Sequence, residues 1–115
     1  MSNATNRVLY IVRTWVPEDT LDDWLNWQIT VHVPGIVAQP EVVRAQIYRV
    51  ADDTTPAEWL PQYVTMYEFA SWEDWVSYRD GEAAAGFRAA ALKYFGTTGK
   101  ISRQVVVEEV SVDNL

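Results

Sequence analysis

The chain has 115 residues, 49% of them apolar, and a formal net charge of −7. This length predicts one domain with a sizeable core, formed by residues 7–115 after a flexible stretch at 1–6. The acidic balance argues against nucleic acid as a partner, because a phosphate backbone requires clustered Lys and Arg. With no cysteine and a single histidine, we expect no disulfide and no metal site. No apolar run approaches ~20 residues, so we expect a cytoplasmic protein without a membrane segment.

The first strand and the first helix follow the N-terminus. Val8–Val16 is β-branched and aromatic, which predicts a strand. A helix then begins at Asp19 or Thr20, whose side-chain oxygens can cap the first turn. Pro34 disfavours the α conformation in the residue before it, so we expect this helix to end at about His32.

The middle of the chain predicts two strands joined by a loop. The strands are Val42–Val50 and Tyr63–Phe69, both rich in β-branched and aromatic residues. Residues 51–61 between them hold two prolines and several acidic and hydroxyl side chains, which is typical of a loop.

The last third predicts two helices and a fourth strand. Ser71 can cap a helix that Gly81 interrupts, and an alanine-rich helix covers Glu82–Phe95. The last strand is Ile101–Val110. The order β-α-β-β-α-β is the split βαβ pattern of ferredoxin-like domains. We therefore expect an α+β fold in which helices cover one face of a four-stranded antiparallel sheet.

The other face of this sheet is also apolar. Its alternate residues include Ile11, Trp15, Val64 and Met66, which are too apolar to face water. A second copy of the chain would cover them. We therefore expect a homodimer whose two sheets face each other as an eight-stranded barrel with an internal cavity.

This arrangement resembles the dimeric α+β barrel superfamily, and in particular its EthD-type branch. The residues that carry the resemblance are Trp24, Trp27, His32 and Pro34, the strand VRAQIYRV and the segment YVTMYEFAS. The superfamily includes cofactor-free monooxygenases, haem-degrading enzymes, isomerases, polyketide cyclases, dehydratases and regulatory ligand-binding domains. Its haem-binding members place a histidine on the second helix, where this chain has none. The resemblance therefore implies a cavity for a small organic molecule, and we expect no cofactor.

The only histidine, His32, closes an apolar stripe on the first helix. Their helical spacing places six side chains on one face of that helix: Leu21, Trp24, Leu25, Gln28, Ile29 and His32. The partial negative charge of a helix C-terminus would favour the protonated imidazole. Because an imidazole titrates near neutral pH, it can both take and give a proton, which suits general acid–base catalysis.

Strand parity suggests the other site residues. We predict a catalytic set in which His32 is the general acid or base, Glu68 its orienting partner or a second base, and Arg13 an anion clamp. The predicted substrate-binding wall is Trp15, Trp27, Arg44, Gln46, Tyr48 and Met66. Two plainer alternatives stay open: the histidine only caps the helix, and Arg13 pairs with Glu68 across neighbouring strands. The last strand is ambiguous, because Arg103 and Gln104 lie on opposite faces.

The leading hypothesis is a cofactor-independent enzyme that uses His32 on an aromatic or polyketide-like organic acid or ketone. Lyase, dehydratase, isomerase and cyclase chemistry all fit, since each moves a proton next to a carbonyl. One alternative is a cofactor-free monooxygenase of the same fold. The other is a dimer that binds a ligand, or assists another protein, without catalysis.

Overall fold

A computed structural model describes residues 6–51, 62–95 and 99–113. Its four strands form one antiparallel sheet in the order β2-β3-β1-β4. The strands are β1 (Val8–Trp15), β2 (Val42–Arg49), β3 (Tyr63–Phe69) and β4 (Lys100–Val107). The predicted ferredoxin-like α+β fold is therefore confirmed, with β4 ending three residues early. Residues 1–5 of the expected flexible N-terminus and residues 52–61 of the expected loop lie outside the described residues.

Helices pack on one side of this sheet. They are α1 (Leu21–Trp27), α2 (Val33–Val37), α3 (Trp72–Arg79) and α4 (Glu82–Phe95). The Ser71 hydroxyl accepts a hydrogen bond from the Asp74 amide at 3.1 Å, so the predicted cap of α3 is confirmed. None of the described helices is long and apolar enough to cross a membrane.

The first helix does not end at His32, and this prediction was wrong. A π-helical turn over Gln28–His32 links α1 to α2, and the helix continues past Pro34 as far as Val37. The turn is closed by a hydrogen bond from the Val33 amide to the Gln28 carbonyl. In a regular α-helix the proline ring would press on the carbonyl four residues earlier. The wider turn just before the proline changes the hydrogen-bond register, so the chain stays helical.

The two faces of the sheet differ in what covers them. Helices cover the face that carries Val8, Tyr10, Tyr67 and Phe69, all of them members of the buried core. The opposite face, called the free face here, carries the alternate residues of each strand. Its members include Ile11, Arg13, Trp15, Arg44, Gln46, Tyr48, Val64, Met66, Glu68, Ser102 and Gln104.

Candidate functional site

A pocket lies between the helices and the helix-covered face of the sheet. Its empty space, counted with its open mouth, is about 420 Å³. The sheet contributes Tyr10, Val12, Thr14, Tyr67, Ile101 and Arg103 to its wall. The helical segments contribute Trp24, Gln28, His32, Ile36, Tyr78, Phe87, Arg88 and Ala91. The pocket is thus a space within one chain, and not the space between two facing sheets that the sequence predicts.

His32 lies on the helical wall of this pocket, held by two aromatic rings. Its imidazole stacks on Trp27, with ring centroids 4.4 Å apart and planes 20° apart. Phe87 of α4 meets it nearly edge-on, with centroids 5.9 Å apart. The residue is only 9% exposed. The π turn and α4 therefore fix the ring in place while leaving it at the pocket surface.

The surroundings of His32 favour the neutral imidazole. Burial, assisted by the positive charge of Arg103, lowers the pKa of His32 from 6.5 to about 4. The expectation that a helix C-terminus favours the protonated form was wrong, because the helix continues beyond this residue. At neutral pH His32 therefore carries one free nitrogen lone pair, which is the state that a proton acceptor requires.

Phenol groups form a second feature of the wall. Burial raises the pKa of Tyr67 well above its ordinary range, and the neighbouring Tyr78 and Tyr10 raise it further. Burial, followed by the neighbouring Tyr10, raises the pKa of Tyr78 to about 12. The Tyr67 and Tyr78 hydroxyls are therefore protonated at neutral pH and can donate hydrogen bonds to an oxygen that carries negative charge.

A buried polar pair joins one residue of the pocket wall to the sheet. The Gln28 side-chain amide donates to the Thr65 hydroxyl at 3.4 Å, and Thr65 is fully buried. Gln28 belongs to the π turn and Thr65 to β3, so the bond ties the histidine-bearing segment to the centre of the sheet. An unpaired buried amide costs free energy, so this hydrogen bond favours the position of the π turn on β3 in which both groups are paired.

The structure separates His32 from the other two predicted catalytic residues. Glu68 lies on the free face, between Arg7 and Arg44, with N–O distances of 3.7 and 3.4 Å. Arg13 lies on the same face and donates to the Gln104 side chain at 3.1 Å. The predicted convergence of the three side chains was wrong. The plainer alternative, in which Arg13 pairs with Glu68 across neighbouring strands, does not hold either, since β3 places Val64 opposite Arg13.

Of the predicted substrate-binding residues, only Trp27 contacts His32. The others lie on the free face and do not line the pocket: Trp15, Arg44, Gln46, Tyr48 and Met66. The assignment of side chains to faces was correct, and the pocket described above lies on the helix side of the sheet. Free-face residues are therefore candidates for a contact between two chains.

Several pocket residues were not predicted as site residues. The helix-side positions of the strands carry Tyr10, Thr14 and Tyr67, which line the pocket, and Thr65, which is fully buried. Hydroxyl groups on the buried face of a sheet are the signal in the sequence that points to the helix side. On β4 the structure places Arg103 in the pocket wall and Gln104 on the free face, which resolves the ambiguity.

Among the described residues, no group of three or more histidine or carboxylate side chains could hold a metal ion. The polar groups of the pocket wall are hydroxyls, one amide, one imidazole, one indole N–H and two guanidinium groups. This set suits the binding of an organic molecule that has oxygen substituents.

The fold and the pocket together define a ferredoxin-like α+β protein with a pocket between its helices and its sheet. The chain belongs to the family described as "Domain of unknown function (DUF4286)", whose model matches residues 7–110. No curated protein has a sequence that matches this chain.

Solved structures share the fold at low sequence identity. An EthD family protein from Bacillus halodurans is 13% identical, with a TM-score of 0.70 over 91% of this chain and 99% of that one. SnoaB, a cofactor-independent oxygenase from Streptomyces nogalater, is 13% identical, with a TM-score of 0.65 over 94% and 98%. The haem degrader MhuD from Mycobacterium tuberculosis is 16% identical, with a TM-score of 0.65 over 92% and 99%. The resemblance to the superfamily and to its EthD-type branch is confirmed at the level of the fold.

Proposed function

We propose that the chain is a cofactor-independent enzyme that uses His32 as a general base on a small organic acid or ketone. The observation that carries the proposal is a neutral imidazole on the wall of a pocket that also holds protonated tyrosines. A base must be unprotonated before it can accept a proton, and the burial of His32 favours that state.

The chemistry follows from the groups around the imidazole. His32 takes a proton from a carbon next to a carbonyl, and the substrate oxygen becomes more negative. The hydroxyls of Tyr67 and Tyr78 stabilise that oxygen by donating hydrogen bonds. The protonated imidazole then returns the proton to another atom of the substrate. Isomerases, lyases, dehydratases and cyclases all share this sequence of steps.

The test is deuterium incorporation into compounds that have an acidic C–H bond. Aryl 2-oxo acids such as phenylpyruvate, and aryl β-keto acids, are incubated with the protein in D₂O and followed by NMR. We expect exchange above the buffer rate, and a reduction of ~10²–10⁴-fold in His32→Gln, which is the usual contribution of a general base. Arg13→Gln, on the opposite face of the sheet, is the control and should keep the exchange rate. A His32→Gln protein that exchanges as fast as the wild type would rule out the proposal.

A cofactor-free monooxygenase is the second candidate, supported by the fold shared with the cofactor-independent oxygenase SnoaB. In this case His32 removes a proton from a phenol, and the electron-rich phenolate reacts with oxygen itself. Oxygen uptake with a naphthalene quinol, compared between wild type and His32→Gln, separates this candidate from the first. Haem degradation is not proposed, because the only histidine lies on the first helical segment and not on the second.

The proposed assembly is a homodimer that buries the free face. Trp15 is 36% exposed and Tyr48 is 47% exposed on that face, and helices pack on the opposite one. Covering these rings removes apolar surface from water, which is the main favourable term in association. A dimer that binds ligand without catalysis would keep its biological activity in His32→Ala, and that result would favour the non-catalytic alternative.

A further inference from the structure

The charged groups of the pocket are not balanced. Its wall holds two guanidinium groups, Arg88 from α4 and Arg103 from β4, and none of its lining residues is Asp or Glu. This is unexpected in a chain that has 16 acidic and nine basic residues. Elsewhere in the described part of the chain, Arg7, Arg44 and Arg79 each pair with a carboxylate. Arg88 and Arg103, like Arg13 and Arg49, make no such ion pair with any described residue. The hydrogen bond from Arg79, and after it the charge of Arg88, lowers the pKa of Asp80, so Arg88 has this carboxylate nearby but outside the pocket wall.

The location of Arg88 and Arg103 in the pocket wall indicates which kind of ligand they can bind. They come from elements on opposite sides of the pocket, one helix and one strand, and both are exposed at the pocket surface. The same pocket wall holds aromatic and aliphatic side chains such as Phe87 and Ile36, beside hydroxyl, amide and imidazole groups. A guanidinium offers a planar set of donors that matches a carboxylate, and it keeps its charge at all working pH values.

We infer that Arg88 and Arg103 form an anion subsite, and that the substrate is an aromatic carboxylate and not a neutral ketone. The anionic group binds at the two guanidinium groups while the ring occupies the aromatic part of the pocket beside His32. This inference deepens the proposed function and rests on the same pocket. It also replaces Arg13, which the sequence suggested as the anion clamp, by two residues on the other face of the sheet.

The test compares benzoate with benzamide, which have nearly the same size and shape but differ in charge. Binding of each is measured by NMR titration of the ¹⁵N-labelled protein, without any turnover. We expect benzoate to bind about tenfold more tightly or better, the order of one charge-assisted hydrogen bond. Added salt should weaken benzoate binding more than benzamide binding, because it screens only the charged ligand.

Variants identify the residues responsible. Arg88→Gln combined with Arg103→Gln should abolish the preference for benzoate and leave benzamide binding unchanged. Arg13→Gln and Arg49→Gln remove the same charge outside the pocket and should keep the preference. Circular dichroism and thermal melting confirm that each variant is folded. Equal binding of the two probes by the wild type, or an unchanged preference in the double variant, would overturn the inference.

The outcome is independent of whether His32 is catalytic. His32→Gln should keep the preference for benzoate even where it loses deuterium exchange. If the wild type shows no preference for benzoate but its exchange still depends on His32, the anion subsite alone is rejected. If the wild type prefers benzoate through the two arginines but its exchange does not depend on His32, the proposed catalysis alone is rejected.

Discussion

Trp27 and His32 stack face to face although they are five residues apart in one helical segment, with ring centroids separated by 4.4 Å. In a regular α-helix, at 3.6 residues per turn, side chains at this spacing point about 140° apart. The π turn over Gln28–His32 adds a residue to the turn and brings the two rings onto the same side. The stack therefore depends on the same local irregularity that lets Pro34 remain inside the helix.

The pKa of His32 can be measured directly, because its imidazole gives the only histidine signal in an NMR spectrum. We expect a titration midpoint at about 4 in the free protein. Arg103→Gln should raise the midpoint towards 6.5 without reaching it, because burial is the larger cause and remains. Arg49→Gln, which lies outside the pocket, should leave it unchanged. A midpoint of 6.5 in the wild type would contradict the burial of the ring.

The same pKa predicts how stability depends on pH. In the unfolded chain His32 is protonated as the pH falls through 6.5, whereas the folded protein takes up this proton only near pH 4. The unfolded state therefore binds more protons between these values, and the free energy of unfolding decreases as the pH falls. Urea titrations of wild type and His32→Gln should show a difference that grows from pH 7 to pH 4. Parallel curves for the two proteins would contradict the prediction.

The Gln28–Thr65 bond predicts a non-additive pair of substitutions. Gln28→Met and Thr65→Val each leave the other buried polar group without this partner, at a cost of about 1–3 kcal/mol. The double variant removes both groups and should lose less stability than the sum of the two single variants. Urea unfolding of the four proteins measures the coupling. Strictly additive losses would show that the bond does not contribute.

Gly35 predicts a steric limit at the contact between α2 and α4. A Cβ atom there would lie 3.2 Å from Cε1 of Phe87, the ring that meets His32 edge-on. Gly35→Ala should change stability by less than about 1 kcal/mol, since the gain in helix propensity offsets the tight contact. Gly35→Val should cost about 1–3 kcal/mol through overpacking. Thermal melting measures the stability, and the His32 NMR signal should shift in Gly35→Val because Phe87 is displaced.

The proposed dimer predicts that a charge on the free face prevents association. Trp15→Glu and Tyr48→Glu each place a carboxylate where a second copy would bury an aromatic ring, so both should be monomeric in sedimentation experiments. Trp72→Glu is the matched control, because Trp72 is 48% exposed on α3, away from the free face. It should leave the dimer intact. A monomeric wild-type protein would contradict the proposal.

The sequence by itself determined the strands, the helices after Ser71 and the face that each strand residue occupies. These features follow from local composition and from the alternation of side chains along a strand, both of which act over a few residues. Ile11 and Trp15 were therefore assigned correctly to the face of the sheet that the helices do not cover.

Only the tertiary structure decided which face holds the pocket and which charges line it. Arg88 lies on α4 and Arg103 on β4, and both line the pocket because of how α4 lies across the sheet. The π turn likewise depends on packing, because local preference alone would end the helix before Pro34. The low pKa of His32 results from this packing, since burial is a property of the assembled layers and not of the residues next to it in sequence.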